Sequence, residues 1–203
     1  MPVSPRSSYL AHVETTMETD WPEEITHNER IALTSKGDLK RTLKSYFNRD
    51  IEVLRIWETP TSGSGHTASP TTPYEQARRI HLVCESNVVC VCISTLRITS
   101  PDAAHLIADD HMTVGQVFRT LARREGAHAE FDLLEVGLEE VENGKESLWR
   151  RYILRAEGFE CDIREIFPDR AMFVDGESWL HSQTPADGEQ ATTPRPIAIQ
   201  LAF

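Results

Sequence analysis
Glu165 stands where an apolar side chain is expected. In the run LWRRYILRAEGFECDIREIF, residues 148–167, the positions Phe159, Cys161, Ile163, Glu165 and Phe167 alternate after the turn-like Ala156-Glu157-Gly158. Alternate residues of a strand share a face. Four of these five are apolar, so the face belongs against a core and carries a carboxylate with it. An ionised carboxylate withdrawn from water must be paired, hydrogen-bonded or protonated, and groups in that condition cluster at functional sites. The plainer alternative is an edge strand or a bulge that turns Glu165 outward.

Other side chains with chemical potential are less specific. Cys84, Cys90, Cys92 and Cys161 all fall in strand-like segments with no C-x-x-C spacing. Cys90 and Cys92 share a strand, too far apart and too parallel to bridge each other. They read as small buried hydrophobes. A zinc or iron site from these thiols and His81 is disfavoured, because such sites usually show paired ligands on turns. The segment His105 to His111, HLIADDH, contains metal-ligand types, but a solvated helix end and loop explains it more simply. Neither a metal nor an organic cofactor is expected.

Composition narrows the partners. A chain of 203 residues with 39% hydrophobic residues is long enough for one well-cored domain. A formal charge of −11 opposes binding to nucleic acid or to an anionic membrane surface, both of which need concentrated Lys and Arg. A small-molecule substrate is the expected partner. No apolar run approaches the roughly 20 residues of a membrane span, and the opening segment lacks a basic stretch followed by an apolar one. The expected location is cytoplasmic, as a monomer or dimer.

The elements that must position Glu165 follow from periodicity. Residues 1–27 are expected to be a flexible arm, 28–180 the folded domain, and 181–203 a polar loop with a C-terminal tail or strand at 196–203. Asp38 can cap a helix with Leu39, Leu43, Tyr46 and Phe47 at helical spacing. A strand is expected over 51–57. The Ser/Thr/Gly/Pro run 59–73 reads as a loop excursion. Strands at 78–84 and 88–98 flank a Glu85-Ser86-Asn87 turn. A short helix starts at Pro101, and another near Thr113 carries the stripe Val114, Val117, Phe118 and Leu121. A strand over 129–140 and the hairpin 148–167 complete the set. The pattern is α+β: an antiparallel sheet of about six strands covered by helices.

Several short motifs then occur in order: Gly37-Asp38-Leu39-Lys40-Arg41; Arg79-Ile-His-Leu-Val-Cys84; Thr113-Val114-Gly115; and Arg150-Arg151 with Gly158 and Arg164-Glu165-Ile166-Phe167. The set resembles the chorismate pyruvate-lyase superfamily, which includes the lyases that form 4-hydroxybenzoate, over roughly residues 31–170. No single motif is specific; their order on a matching strand and helix pattern carries the resemblance.

The resemblance implies a cofactor-free enzyme with an enclosed pocket between an antiparallel sheet and helical flaps. It implies Arg79 as carboxylate anchor and Glu165 as the acid facing the ether or phenol oxygen, with Leu39 and Val114 lining the pocket. His81, Ser94 and Ile163 fall beside them as substrate contacts. Burial favours the neutral form of a carboxyl, which suits proton donation to a leaving oxygen. The bacterial lyases carry Arg where Ser94 stands, Leu where Val114 stands and Thr where Arg164 stands. Periodicity also disagrees with alignment: Ile80, Leu82 and Cys84 share a face with Arg78, whereas Arg79 goes with His81 and Val83. Arg79 is retained as the anchor on the alignment.

Three functions are open to such a chain. The first is a lyase that releases pyruvate from a small cyclic carboxylate such as chorismate. The second is the same scaffold turned to a cyclase or pericyclase, for example of Diels-Alder type in a natural-product pathway, which loss of the basic residue at Ser94 favours. The third is a non-catalytic small-ligand binder, since fold alone does not fix function.

Overall fold
The computed structural model describes residues 13–17, 21–63, 67–108, 112–141 and 144–182. In chain order these form β1 (Val13–Met17), α1 (His27–Leu33), α2 (Leu39–Phe47), β2 (Ile51–Ser62), β3 (Tyr74–Cys84) and β4 (Asn87–Ile98). Then come α3 (Pro101–Ala108), α4 (Val114–Ala122), β5 (Ala129–Val141), β6 (Lys145–Ala156), β7 (Phe159–Phe167), α5 (Met172–Asp175) and α6 (Glu177–Ser182). The architecture is α+β, with a seven-stranded sheet in the order β1-β5-β6-β7-β4-β3-β2.

Two expectations are corrected here. Among the described residues the sheet has seven strands rather than about six, and it is mixed: β1 pairs parallel with β5, while every other pair is antiparallel. The additional strand lies inside the stretch expected to be a flexible arm, and Ile25 from the same stretch is buried in the core. β1 reads Val-Glu-Thr-Thr-Met, too short and polar to announce itself; its backbone is satisfied by a partner more than a hundred residues away. The expected loop over 59–73 is also shorter, because β2 continues to Ser62 and β3 begins at Tyr74. The polar run after Phe173 contains α6, whose Trp179 and Leu180 are buried. The tail at 196–203 lies outside the described residues.

Local sequence explains the helices that matter for the site. In α2, Leu39, Leu43 and Phe47 recur every fourth residue and are buried, and Asn48 ends the helix in the left-handed region at φ 50°. Asp38 stands at its N-cap without making a side-chain capping bond. Capping boxes start α1, through Thr26 and Glu29, and α4, through Thr113 and Gln116.

Two apolar clusters use the same face of the sheet. One joins α1, α2, α5 and α6 to Leu82, Cys90, Cys92 and Phe167. The other joins α3 and α4 to Leu96, Phe131, Tyr152 and Ile163. The seam between these helical groups is where a cavity can form. On the opposite face Trp149 packs with Arg164, whose guanidinium lies 4.6 Å from the indole centroid.

Candidate active site
The seam holds a cavity of about 360 Å³. Its floor is the sheet, with Arg78 and Ile80 from β3, Cys92 and Ser94 from β4, and Ile163 and Glu165 from β7. Tyr152 and Leu154 extend it onto β6, and its roof is the starts of α2 and α4. Strand pairing sets these side chains in rows. Arg78, Ser94, Ile163 and Tyr152 are successive cross-strand partners, and Ile80, Cys92, Glu165 and Arg150 form the next row.

Of the residues singled out from sequence, Glu165, Leu39, Val114, Ser94 and Ile163 line this cavity. Arg79 and His81 do not. Their strand parity puts them on the opposite face, where Arg79 Nε lies 3.3 Å from His81 Nε2. Burial, with the Arg79 charge beside it, pushes the His81 imidazole below its ordinary range. Arg78 is the β3 arginine in the cavity, almost fully buried and paired through Nη2 with Glu58 Oε1 at 2.9 Å. Alternation along β3 carried the signal that alignment overrode.

Glu165 is buried and paired. Arg150 donates to Glu165 Oε2 from Nε at 2.7 Å and approaches the same oxygen with Nη2 at 2.6 Å. The Tyr152 hydroxyl donates to Oε1 at 2.9 Å. Burial opposes the Arg150 charge, but Glu165 beside it more than offsets that, and the guanidinium is held above its usual range. Burial and the Glu165 charge push the Tyr152 phenol far up, so its proton stays on. A carboxylate receiving a guanidinium and a phenol is arranged as a hydrogen-bond acceptor. The expected acid role assumed an apolar wall without a countercharge, and Arg150 supplies a countercharge.

Arg150 and Tyr152 are site residues that the sequence did not single out, Arg150 standing there only as part of the Arg150-Arg151 motif. Arg150 has no exposed surface. Its Nη1 also donates to the carbonyls of Leu33 at 2.5 Å and Ser35 at 2.9 Å. One guanidinium therefore joins the site carboxylate to the turn between α1 and α2. The hairpin turn at Glu157-Gly158 sets position 150 opposite 165, a pairing that could have been counted from sequence.

The roof closes through glycines. A Cβ on Gly115 would lie 2.0 Å from the Gly37 carbonyl oxygen, so the α4 start and the α1–α2 turn touch only because no side chain intervenes. Arg119 donates to the same carbonyl and clasps the two.

Other clusters lie elsewhere. Cys90 and Cys92 place their sulfurs 3.7 Å apart, on the face away from His81. Glu14, His128 and Glu130 gather at the β1–β5 end with potential ligand atoms within 4.8 Å of one another. The His128 ring nitrogens each face a different carboxylate, at 3.2 Å to Glu14 on β1 and 3.4 Å to Glu130 on β5. Asp109, Asp110 and His111 lie outside the described residues. A second hollow of about 410 Å³, between α1, α2 and Phe173, contains none of the Glu165 network.

Among the described residues, no helix is long and apolar enough to cross a membrane. No protein-family model matches the chain, and no curated protein matches its sequence.

Proposed function
We propose that the chain is a cofactor-independent lyase acting on a small cyclic carboxylate such as chorismate, with release of pyruvate. The observation that carries this reading is a cavity of about 360 Å³ with Arg78 and Glu165 on different parts of its floor. The volume lies near the lower end of small-molecule sites, about 300–1,000 Å³, and suits one ring with short substituents. Two strand spacings and one pleat separate Arg78 from Glu165, roughly 10 Å across and 7 Å along. That span lets one molecule meet both. The ordered motifs shared with the chorismate pyruvate-lyases support the same reading.

In this scheme Arg78 holds the ring carboxylate by charge-assisted hydrogen bonds. Glu165, oriented by Arg150 and Tyr152, accepts the proton from the ring carbon beside the ether-bearing carbon. The C–H electron pair becomes the new ring π bond, the ether C–O bond breaks, and its electrons leave on the enolate of pyruvate. The enolate takes a proton at its methylene carbon, so no oxidant, reductant or water is consumed. Aromatisation drives the reaction, and the fixed carboxylate saves the cost of orienting a base in water.

Purified protein incubated with chorismate should yield 4-hydroxybenzoate and pyruvate in equal amounts, and Glu165→Gln should lower turnover by about two orders of magnitude or more. Absence of both products with the wild type would reject the lyase.

A cyclase remains the second reading. Ser94, where the bacterial lyases have Arg, leaves the middle of the floor without a further cation, and Val53, Ile80, Leu82 and Leu154 make much of the wall apolar. Ring-acid binding without pyruvate release would favour it.

A further inference from the structure
The rim of the cavity has a charge opposite to that of the chain. Among the lining residues the exposed ones are Lys40, Arg41, Lys44 and Gln116, and they mark where the cavity meets solvent. Three of these four are cations and none is an acid, in a chain of formal charge −11. The chain has only four lysines, at 36, 40, 44 and 145; two of them stand on this rim.

The rim cations differ in their availability. Arg41 is engaged by Asp38 at 2.5 Å, and Arg119, just inside, is committed to the Gly37 carbonyl. Lys44 reaches Asp50 at 2.5 Å, but both side chains are mostly exposed, so water weakens the pair. Lys40 makes no hydrogen bond or close ion pair among the described residues. Lys40 and Lys44 are four apart on α2, hence neighbours on one helix face. Both overlook an opening whose deeper cation, Arg78, is separated from them by the ring-sized cavity.

We propose that Lys40 and Lys44 form an outer anion subsite, so that the ligand carries a second acidic group on a tail reaching the cavity rim. This rests on the reading of the cavity as a ring-acid site and specifies which residues take the other charge. An exposed lysine pair is a point-charge recogniser that serves either a carboxylate or a phosphate. Exposure makes the attraction sensitive to salt, because charges in water are screened over about 10 Å at 0.1 M ionic strength.

The test compares three ring acids by calorimetric titration: 3-hydroxybenzoate, with one charge; 3-(carboxymethoxy)benzoate, with a carboxylate tail; and 3-(phosphonooxy)benzoate, with a phosphate substituent. At low salt at least one of the two-acid probes should bind about tenfold or more tightly than the single acid, and the more strongly preferred one identifies the tail chemistry. That ratio should shrink as salt is added. Lys40→Met combined with Lys44→Met should bring it near one, whereas Lys36→Met, which removes a nearby exposed lysine outside the lining, should preserve it. Equal wild-type affinity for all three probes, or a ratio the double substitution leaves intact, overturns the outer subsite while leaving the ring-acid reading standing. Failure of every probe to bind overturns both.

Discussion
Arg150 and Glu165 face each other across the β6–β7 hairpin, and the guanidinium directs Nε and Nη2 to one carboxylate oxygen at 2.7 and 2.6 Å. The remaining donors go to the Leu33 and Ser35 carbonyls and to the Ser35 hydroxyl. A buried charge pair of this kind contributes modestly as a pair but is costly to break, because the surviving partner is left uncompensated in a dry interior.

Arg150→Met should therefore destabilise the protein by about 3 to 5 kcal/mol, measured by urea denaturation. Adding Glu165→Met to it should recover part of that loss, since the orphaned carboxylate disappears. A double variant as unstable as the sum of the two single ones would mean that the pair is not coupled.

The two adjacent β3 arginines should behave differently. Arg78→Met removes the cavity guanidinium and should weaken binding of 4-hydroxybenzoate at least tenfold, in line with about 1.5 to 3 kcal/mol for a hydrogen bond to a charged group. Arg79→Met, on the opposite face beside His81, should leave that affinity within about twofold of wild type. Reversal of this order in a fluorescence titration would return the anchor role to Arg79.

Gly115→Ala inserts a methyl group where only 2.0 Å separates it from the Gly37 carbonyl oxygen. No rotamer can relieve an overlap with backbone, so the α4 start and the α1–α2 turn must part and loosen the Arg119 clasp. The expected cost is about 1 to 3 kcal/mol. A thermal melt should register a fall of about 2–4 °C for each kcal/mol in a chain of this size.

Acid should act through α1. Burial alone would raise the Glu29 carboxyl, but hydrogen bonds from Arg170 and from the Thr26 backbone and side chain outweigh it and hold it below the usual glutamate range. A folded value below the unfolded one means that the contribution is present above the unfolded value and disappears as pH falls through the folded value. Stability should decline as pH drops below about 4, and Glu29→Gln, though less stable at pH 7, should show a shallower decline. Parallel acid profiles for the two proteins, followed by circular dichroism, would remove Glu29 from this role.

Much of this site was legible because its signals are local. Alternation along 159–167 identified Glu165 as an inward carboxylate, four-residue spacing located α2, and the Thr113 start of α4 was readable from its polar cap and apolar stripe. Alternation on β3 also distinguished Arg78 from Arg79 before any contact was known; the alignment obscured it. Each of these depends on a strand or helix period that neighbouring residues alone determine. Tertiary structure decided the rest. Which sheet face receives both helical groups, the parallel docking of β1 on β5, and the closure of Gly37 on Gly115 all depend on segments far apart in the chain. The hydrogen-bond partners of Glu165 belong with them, because Arg150, Tyr152 and the carbonyls of Leu33 and Ser35 converge only when the sheet and α1 are assembled.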